Sequence, residues 1–137
     1  MAKIFLVEDN PDHALLISRG LAESGFEVTH FMDGLALLDF FKKERTAEEL
    51  PLFLLLDLKL PGADGFEVLR QIRAHPRYRI IPVVMLTTSK YKQEIKRAYE
   101  MGASGFVTKS EDFSELMAKL TRIKDYWLRT VELPDLH

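Results

Sequence analysis

Short apolar runs punctuate the chain at residues 4–7, 52–56 and 82–86, with weaker ones at 28–31 and 105–107. Runs of this length, rich in Val, Ile, Leu and Phe, predict five strands. Between them the apolar positions change to a helical period over residues 14–21, 35–41, 66–72, 95–101 and from Phe113 onward. The predicted order is (βα)5. Connections of helix length between successive strands imply a five-stranded parallel sheet with right-handed crossovers and helices on both faces, a doubly wound α/β fold. The runs at 52–56 and 83–86 lack polar alternation, as strands covered on both faces do, so they belong at the centre of the sheet.

The punctuation agrees with this order. Asn10 is placed to cap the first helix with Pro11 in its first turn, and Gly25 and Gly102 stand where helices one and four should stop. Asp33-Gly34 and Pro61-Gly62 mark turns. Residues 42–49 are strongly charged and read as an exposed helix end. With 137 residues there is room for one domain with a proper core, and no repeat, low-complexity stretch or interdomain linker is visible.

Composition narrows the function classes. Nineteen basic residues against twenty-one acidic ones give a net charge of -2, so no overall positive field holds nucleic acid by its phosphates. The absence of cysteine excludes disulfide scaffolds, thiol nucleophiles and Cys-based zinc sites, and makes the cytoplasm the expected location. The N-terminal apolar run meets Glu8 too soon for a signal peptide, and no run approaches the roughly 18 residues that cross a bilayer, so no membrane association is expected.

In an open parallel sheet the functional crevice lies outside the carboxyl ends of the strands. There the predicted strands end in Glu8-Asp9, Asp57, Thr87-Thr88-Ser89 and Thr108-Lys109. Singly, each has a structural reading: acidic pairs cap helices, and threonine suits strands. Asp57 differs because it follows five apolar residues of a central strand, where an unpaired carboxylate is costly to desolvate. Three mutually repelling carboxylates call for a hard divalent cation, best Mg²⁺, with Asp9, Asp57 and Glu8 as direct or water-mediated ligands. Asp57 then becomes a nucleophile toward a phosphoryl group, Lys109 neutralises a phosphoryl oxygen, and the Thr87 hydroxyl donates to another.

Together, Val7-Glu8-Asp9-Asn10, the run at 55–61 with Asp64-Gly65, Leu86-Thr87-Thr88-Ser89 and the run at 102–109 ending in Lys109 resemble bacterial two-component response-regulator receiver domains, over about residues 2–125. The resemblance implies a flavodoxin-like receiver fold and phosphorylation of Asp57 by a sensor histidine kinase. It also implies that the Lys59 carbonyl completes the metal ligands and that Thr87 and Phe106 form a switch reporting through an α4-β5-α5 surface. Two positions depart from the family pattern. Ser110 follows Lys109 where most receivers carry proline, so a trans peptide is expected, and Glu8 replaces the commoner aspartate.

The apolar spacing of Leu116, Met117, Leu120, Ile123 and Trp127 continues past the expected end of the fifth helix near residue 125. Residues 126–137 form a C-terminal extension, which either folds back on its own domain or presents Tyr126, Trp127, Leu128, Val131 and Leu133 to a partner. Lys109-Ser110 with 126–128 and Leu133-Pro134 is similar to the single-domain regulators paired with bacterial phytochromes. That similarity implies a bacteriophytochrome as kinase and a homodimer built with the extension. Output would pass by contact, to a histidine phosphotransfer protein or another target, or the chain would act as a phosphate sink.

The alternative from another class is a Mg²⁺-dependent phosphatase with an aspartyl nucleophile, which wants a second carboxylate two residues on, where this chain has Lys59. A conventional enzyme is therefore not expected, beyond slow self-hydrolysis of the phosphoaspartate. No GxGxxG or P-loop follows a strand, so nucleotide binding is not expected. His13, His30, His75 and His137 are scattered without metal-ligand spacing and read as surface residues, with His13 near enough to the acidic pocket to tune access.

Overall fold

The structure, a computed structural model, describes residues 3–22 and 26–136. The expected helix stop at Gly25 and the expected surface position of His137 lie outside them. Five strands, β1 (Lys3–Val7), β2 (Glu27–Phe31), β3 (Phe53–Leu56), β4 (Val83–Thr87) and β5 (Gly105–Thr108), alternate with helices α1 (Pro11–Ala22), α2 (Gly34–Lys42), α3 (Gly65–Ala74), α4 (Lys92–Glu100) and α5 (Phe113–Asp125). All strand pairs are parallel, in the order β2-β1-β3-β4-β5. Crossing from β2 back through β1 to β3 reverses the winding direction, so a crevice opens at the carboxyl ends of β1 and β3.

Alternation along the three inner strands divides the interior into two cores. Phe5, Val7, Leu54, Leu56, Val83 and Met85 pack with Leu37, Phe41, Val68, Leu69 and Ile72 of α2 and α3. Ile4, Leu6, Phe53, Leu55, Val84 and Leu86 pack with Ile17 and Leu21 of α1 and Leu120 of α5. Because both faces are covered, Ile4 to Val7, Phe53 to Leu56 and Val83 to Leu86 are apolar throughout, and each fully buried Leu, Ile or Phe contributes about 1.5–3 kcal/mol.

Side-chain caps start α1, α2, α3 and α5, of which the sequence reading named the first. Asn10 Oδ1 accepts from the Asp12 and His13 N–H groups at 3.0 and 3.1 Å, Asp33 from Ala36 at 2.8 Å, Asp64 from Glu67 at 2.9 Å and Asp112 from Glu115 at 3.1 Å. Gly102 follows α4 with φ of +100°, which a side chain would strain.

Residues 42–49 are not one exposed helix end, as the charge pattern implied. Helix α2 stops at Lys42, and Ala47–Glu49 form a separate 3₁₀ turn capped by Thr46, whose N–H and hydroxyl both donate to Glu49 Oε1. The break is held by Arg45, which lies 3.9 Å over the Phe40 ring and donates to the Phe40 carbonyl at 2.9 Å. A second 3₁₀ turn, Tyr78–Ile80, precedes β4. Behind it Arg73 ties two connections together, donating to the carbonyls of Gly102 (2.7 Å), Ile81 (2.8 Å) and Arg79 (2.9 Å).

The chain continues beyond α5 into a wide helical turn, Tyr126–Thr130. Trp127 and Leu128 pack on the α1/α5 core, with the indole 6.4 Å from the Phe53 ring, while Leu136 packs on the opposite core. Arg77 fastens Leu136 by two hydrogen bonds to its carbonyl, 2.9 and 3.2 Å. Much of the extension therefore folds back on its own domain, leaving Tyr126 exposed and Val131 and Leu133 half-buried. Among the described residues no helix is long and apolar enough to cross a membrane.

Candidate functional site

The residues picked out by their positions at strand ends do converge. Asp57 leaves β3 with its N–H still bonded to the Val7 carbonyl (3.2 Å), and Lys109 leaves β5 with its N–H bonded to Thr87 (2.7 Å). The sheet thus sets both backbones before either side chain acts. Lys109 Nζ donates to Asp57 Oδ2 at 2.9 Å and to Glu8 Oε1 at 2.8 Å, with all three side chains almost wholly buried. Asp57 Oδ1 accepts from the Lys59 N–H at 3.2 Å. Oxygens of Glu8, Asp9 and Asp57 all lie within 4.8 Å of one another, and Asp9 is the exposed member.

Space beside Asp57 is tight. A Cβ on Gly65 would stand 2.3 Å from the Asp57 carbonyl oxygen, so the start of α3 can pass under the site only as glycine.

The electrostatics follow from burial and from unequal charge. Two buried carboxylates share one ammonium. Burial, aided by the neighbouring Asp57, pushes Glu8 up from 4.5 to about 7. Burial also opposes the Asp57 carboxylate, but its hydrogen bond with Glu8 and the attraction of Lys109 outweigh that and lower its pKa. Lys109 likewise loses by burial and gains more from Glu8 and Asp57, so its pKa is raised and it stays charged. The pocket therefore carries an ionised Asp57 and excess negative charge that either a proton on Glu8 or a further cation relieves. Three carboxylates open to solvent at Asp9 form an all-oxygen donor set that suits a hard divalent cation.

Thr87 ends β4 fully buried, its hydroxyl oxygen accepting from the Ser89 N–H at 3.4 Å. Phe106, opposite Met85 in the sheet, is half-buried against the α2/α3 core. Ser110 follows a trans peptide, as expected, and its hydroxyl accepts from Asp112 N–H at 3.2 Å and donates to Glu115 at 3.0 Å, bracing the entry to α5.

Several contacts were not visible in the sequence. Lys59 Nζ reaches Glu94 at 3.3 Å, and Glu94 also accepts from the Ser89 hydroxyl, linking the loops after β3 and β4. His13 is exposed, as read, with Nδ1 3.3 Å from Glu8 Oε1. His30 and His75 are not free surface residues: His30 is half-buried with Nε2 2.7 Å from the Glu8 carbonyl, and His75 stacks on Tyr78 at 4.0 Å. No sequence spacing signals either contact.

Comparison with known proteins gives the same assignment. The model of the response regulator receiver domain family matches residues 4–121. The chain is 43% identical over 128 residues to the probable methanogenesis regulatory protein FilR2 of Methanothrix harundinacea, covering 91% of this chain and 83% of that one. It is 37% identical over 135 residues to response regulator Rcp1 of Synechocystis, covering 96% and 92%. Among solved structures, the phosphorylated cyanobacterial phytochrome response regulator RcpA superposes with a TM-score of 0.89 at 38% identity, covering 97% of this chain and 98% of that one. The Mn²⁺-bound form of Rcp1 gives 0.88 at 36% identity, covering 98% and 99%. With its sheet order, its acidic pocket and these similarities in agreement, the chain belongs to the response regulator receiver domain family.

Proposed function

We propose that this receiver accepts a phosphoryl group on Asp57 from a phosphohistidine of a sensor histidine kinase. The observation that carries the proposal is the buried, ionised Asp57 held by Lys109 within 4.8 Å of two further carboxylates. An Asp57 oxygen forms the new O–P bond as the P–N bond to the donor histidine breaks, and the proton the reaction requires goes to the departing imidazole. Lys109 stays charged and follows the developing negative charge on the phosphoryl oxygens. Mg²⁺, held by Glu8, Asp9, Asp57 and the Lys59 carbonyl, supplies charge neutralisation and orientation of the phosphoryl oxygens when bound.

Thr87 ends the neighbouring strand β4 and donates its hydroxyl to the new phosphoryl group. Its movement leaves room into which Phe106 turns, altering the surface of α4, β5 and α5. In this reading residues 1–125 are the receiver and 126–137 an extension that joins two copies through Tyr126 and the outward parts of Trp127, Leu128, Val131 and Leu133. RcpA is a phytochrome response regulator, and by that similarity the kinase is a bacteriophytochrome in the cytoplasm. Output is by contact, to a histidine phosphotransfer protein or another target. A phosphatase acting on external substrates is disfavoured because the position two beyond Asp57 holds Lys59, engaged with Glu94, and turnover is limited to slow hydrolysis of the chain's own phosphoaspartate.

The test is incubation with Mg²⁺ and acetyl phosphate, read by intact mass. Wild type gains one phosphoryl group and Asp57→Asn gains none; equal gain by both overturns the proposal.

A further inference from the structure

The Glu8 carbonyl stands where the chain leaves β1 and turns into the acidic pocket. The β1–β2 ladder reaches as far as the Glu8 N–H, which donates to the Phe31 carbonyl at 3.1 Å. It goes no further, because the chain turns at residues 32 and 33 and Asp33 caps α2. Among the described residues no backbone N–H reaches the Glu8 carbonyl; the His30 imidazole does, with Nε2 at 2.7 Å. A carbonyl can only accept, so Nε2 carries the proton in this contact.

We infer that His30 is a positioning residue for the cation pocket, acting through the peptide between Glu8 and Asp9. That peptide sets the direction of the Asp9 side chain. Among the described residues no hydrogen bond holds the Asp9 carboxylate itself, whereas Glu8 and Asp57 are each fixed by Lys109. Asp9 is thus the one carboxylate of the three whose placement rests on its backbone, and His30 completes the hydrogen bonding of that backbone from 22 residues away. Groups hydrogen-bonded directly to metal ligands commonly change metal affinity by about 10- to 100-fold when removed, and His30, which acts one bond further out, belongs at the lower end of that range. His30 does not touch the reacting atoms, so its effect falls on cation affinity and not on the chemical step.

The inference rests on the cation site proposed above, and the experiment separates the two. Mg²⁺ binding is measured by calorimetry on wild type, His30→Val and His30→Met, which cannot donate, and His30→Gln, which can. Labelling by acetyl phosphate is followed across a Mg²⁺ titration in parallel. The non-donors are expected to bind Mg²⁺ about tenfold more weakly. Their half-saturating Mg²⁺ for labelling should rise by the same factor while the rate at saturating Mg²⁺ is unchanged, and the Gln variant should keep most of the wild-type affinity. Melting in EDTA identifies any variant that fails to fold, and the remaining non-donor carries the comparison. Wild-type Mg²⁺ affinity in a folded non-donor, or a Gln variant as weak as Val, overturns the role of His30. Wild type that binds no Mg²⁺ overturns the cation site itself.

Discussion

Glu8 is where the sequence and the structure diverge most usefully at the scale of single residues. Glu8 and Asp9 are adjacent and look equivalent on paper, yet one is buried against Lys109 and the other faces solvent. The buried one has its pKa raised to about 7, above the ordinary 4.5, so it holds a proton below neutrality in the metal-free protein. A cation must displace that proton to use Glu8 as an anionic ligand. Mg²⁺ affinity should therefore fall as pH drops through about 7. Calorimetry should find it about tenfold weaker one pH unit below that point than on the alkaline plateau, and Glu8→Gln should bind weakly with little pH dependence. Stability of the metal-free protein has the opposite sense. A raised folded-state pKa contributes fully below the ordinary value and is lost as pH rises through the folded one, so melting in EDTA should weaken between pH 5 and 8, by at most about 3 kcal/mol. Added Mg²⁺ should restore it at the alkaline end.

Between elements, the connections far from the pocket carry as much of the structure as the caps do. Arg73 donates to three carbonyls from two different connections, and burial lowers its pKa, so its guanidinium is an internal strut joining α3 to the loops before β4 and β5. Arg73→Met keeps the aliphatic packing and removes the donors. Urea unfolding should show a loss of about 2–3 kcal/mol, while labelling of Asp57 persists. The strands were legible in the sequence because strands covered on both faces leave continuous apolar runs, and the first helix start because Asn10 is a short-range cap; Asp33, read as a turn, and Asp64 and Asp112 are caps that only the structure revealed. The 3₁₀ turn at 47–49 was missed although Thr46 and Glu49 carry the local capping-box spacing; the break before it rests on Arg45 meeting Phe40 and on the Arg45 N–H meeting the Tyr78 hydroxyl at 3.1 Å, across 33 residues. His30 has no such local sign: strand-end positions located Glu8, Asp9, Thr87, Asp57 and Lys109, but a side chain that serves another residue's carbonyl leaves no pattern in spacing.

For the whole molecule, the extension answers to two demands. Trp127, Leu128 and Leu136 complete its own cores, and Arg77 pins the last turn, so removing the segment would cost stability in a monomer as well as in a dimer. Tyr126, 49% exposed, separates the two. Sedimentation at micromolar concentration should find the full chain dimeric and Tyr126→Glu monomeric with an almost unchanged melting temperature; a monomeric wild type contradicts the dimer. In the proposed function the phosphoryl group acts across the same molecule, from the carboxyl edge of β3 to the half-buried Phe106, and that proposal begins with where the phosphoryl group sits. The most direct measurement is to label the protein with acetyl phosphate and Mg²⁺, trap the acyl phosphate with borohydride and sequence the peptides by mass spectrometry. Reduction at Asp57 alone is the expected result, and reduction at Asp9, Glu8 or any other carboxylate in its place would contradict the account.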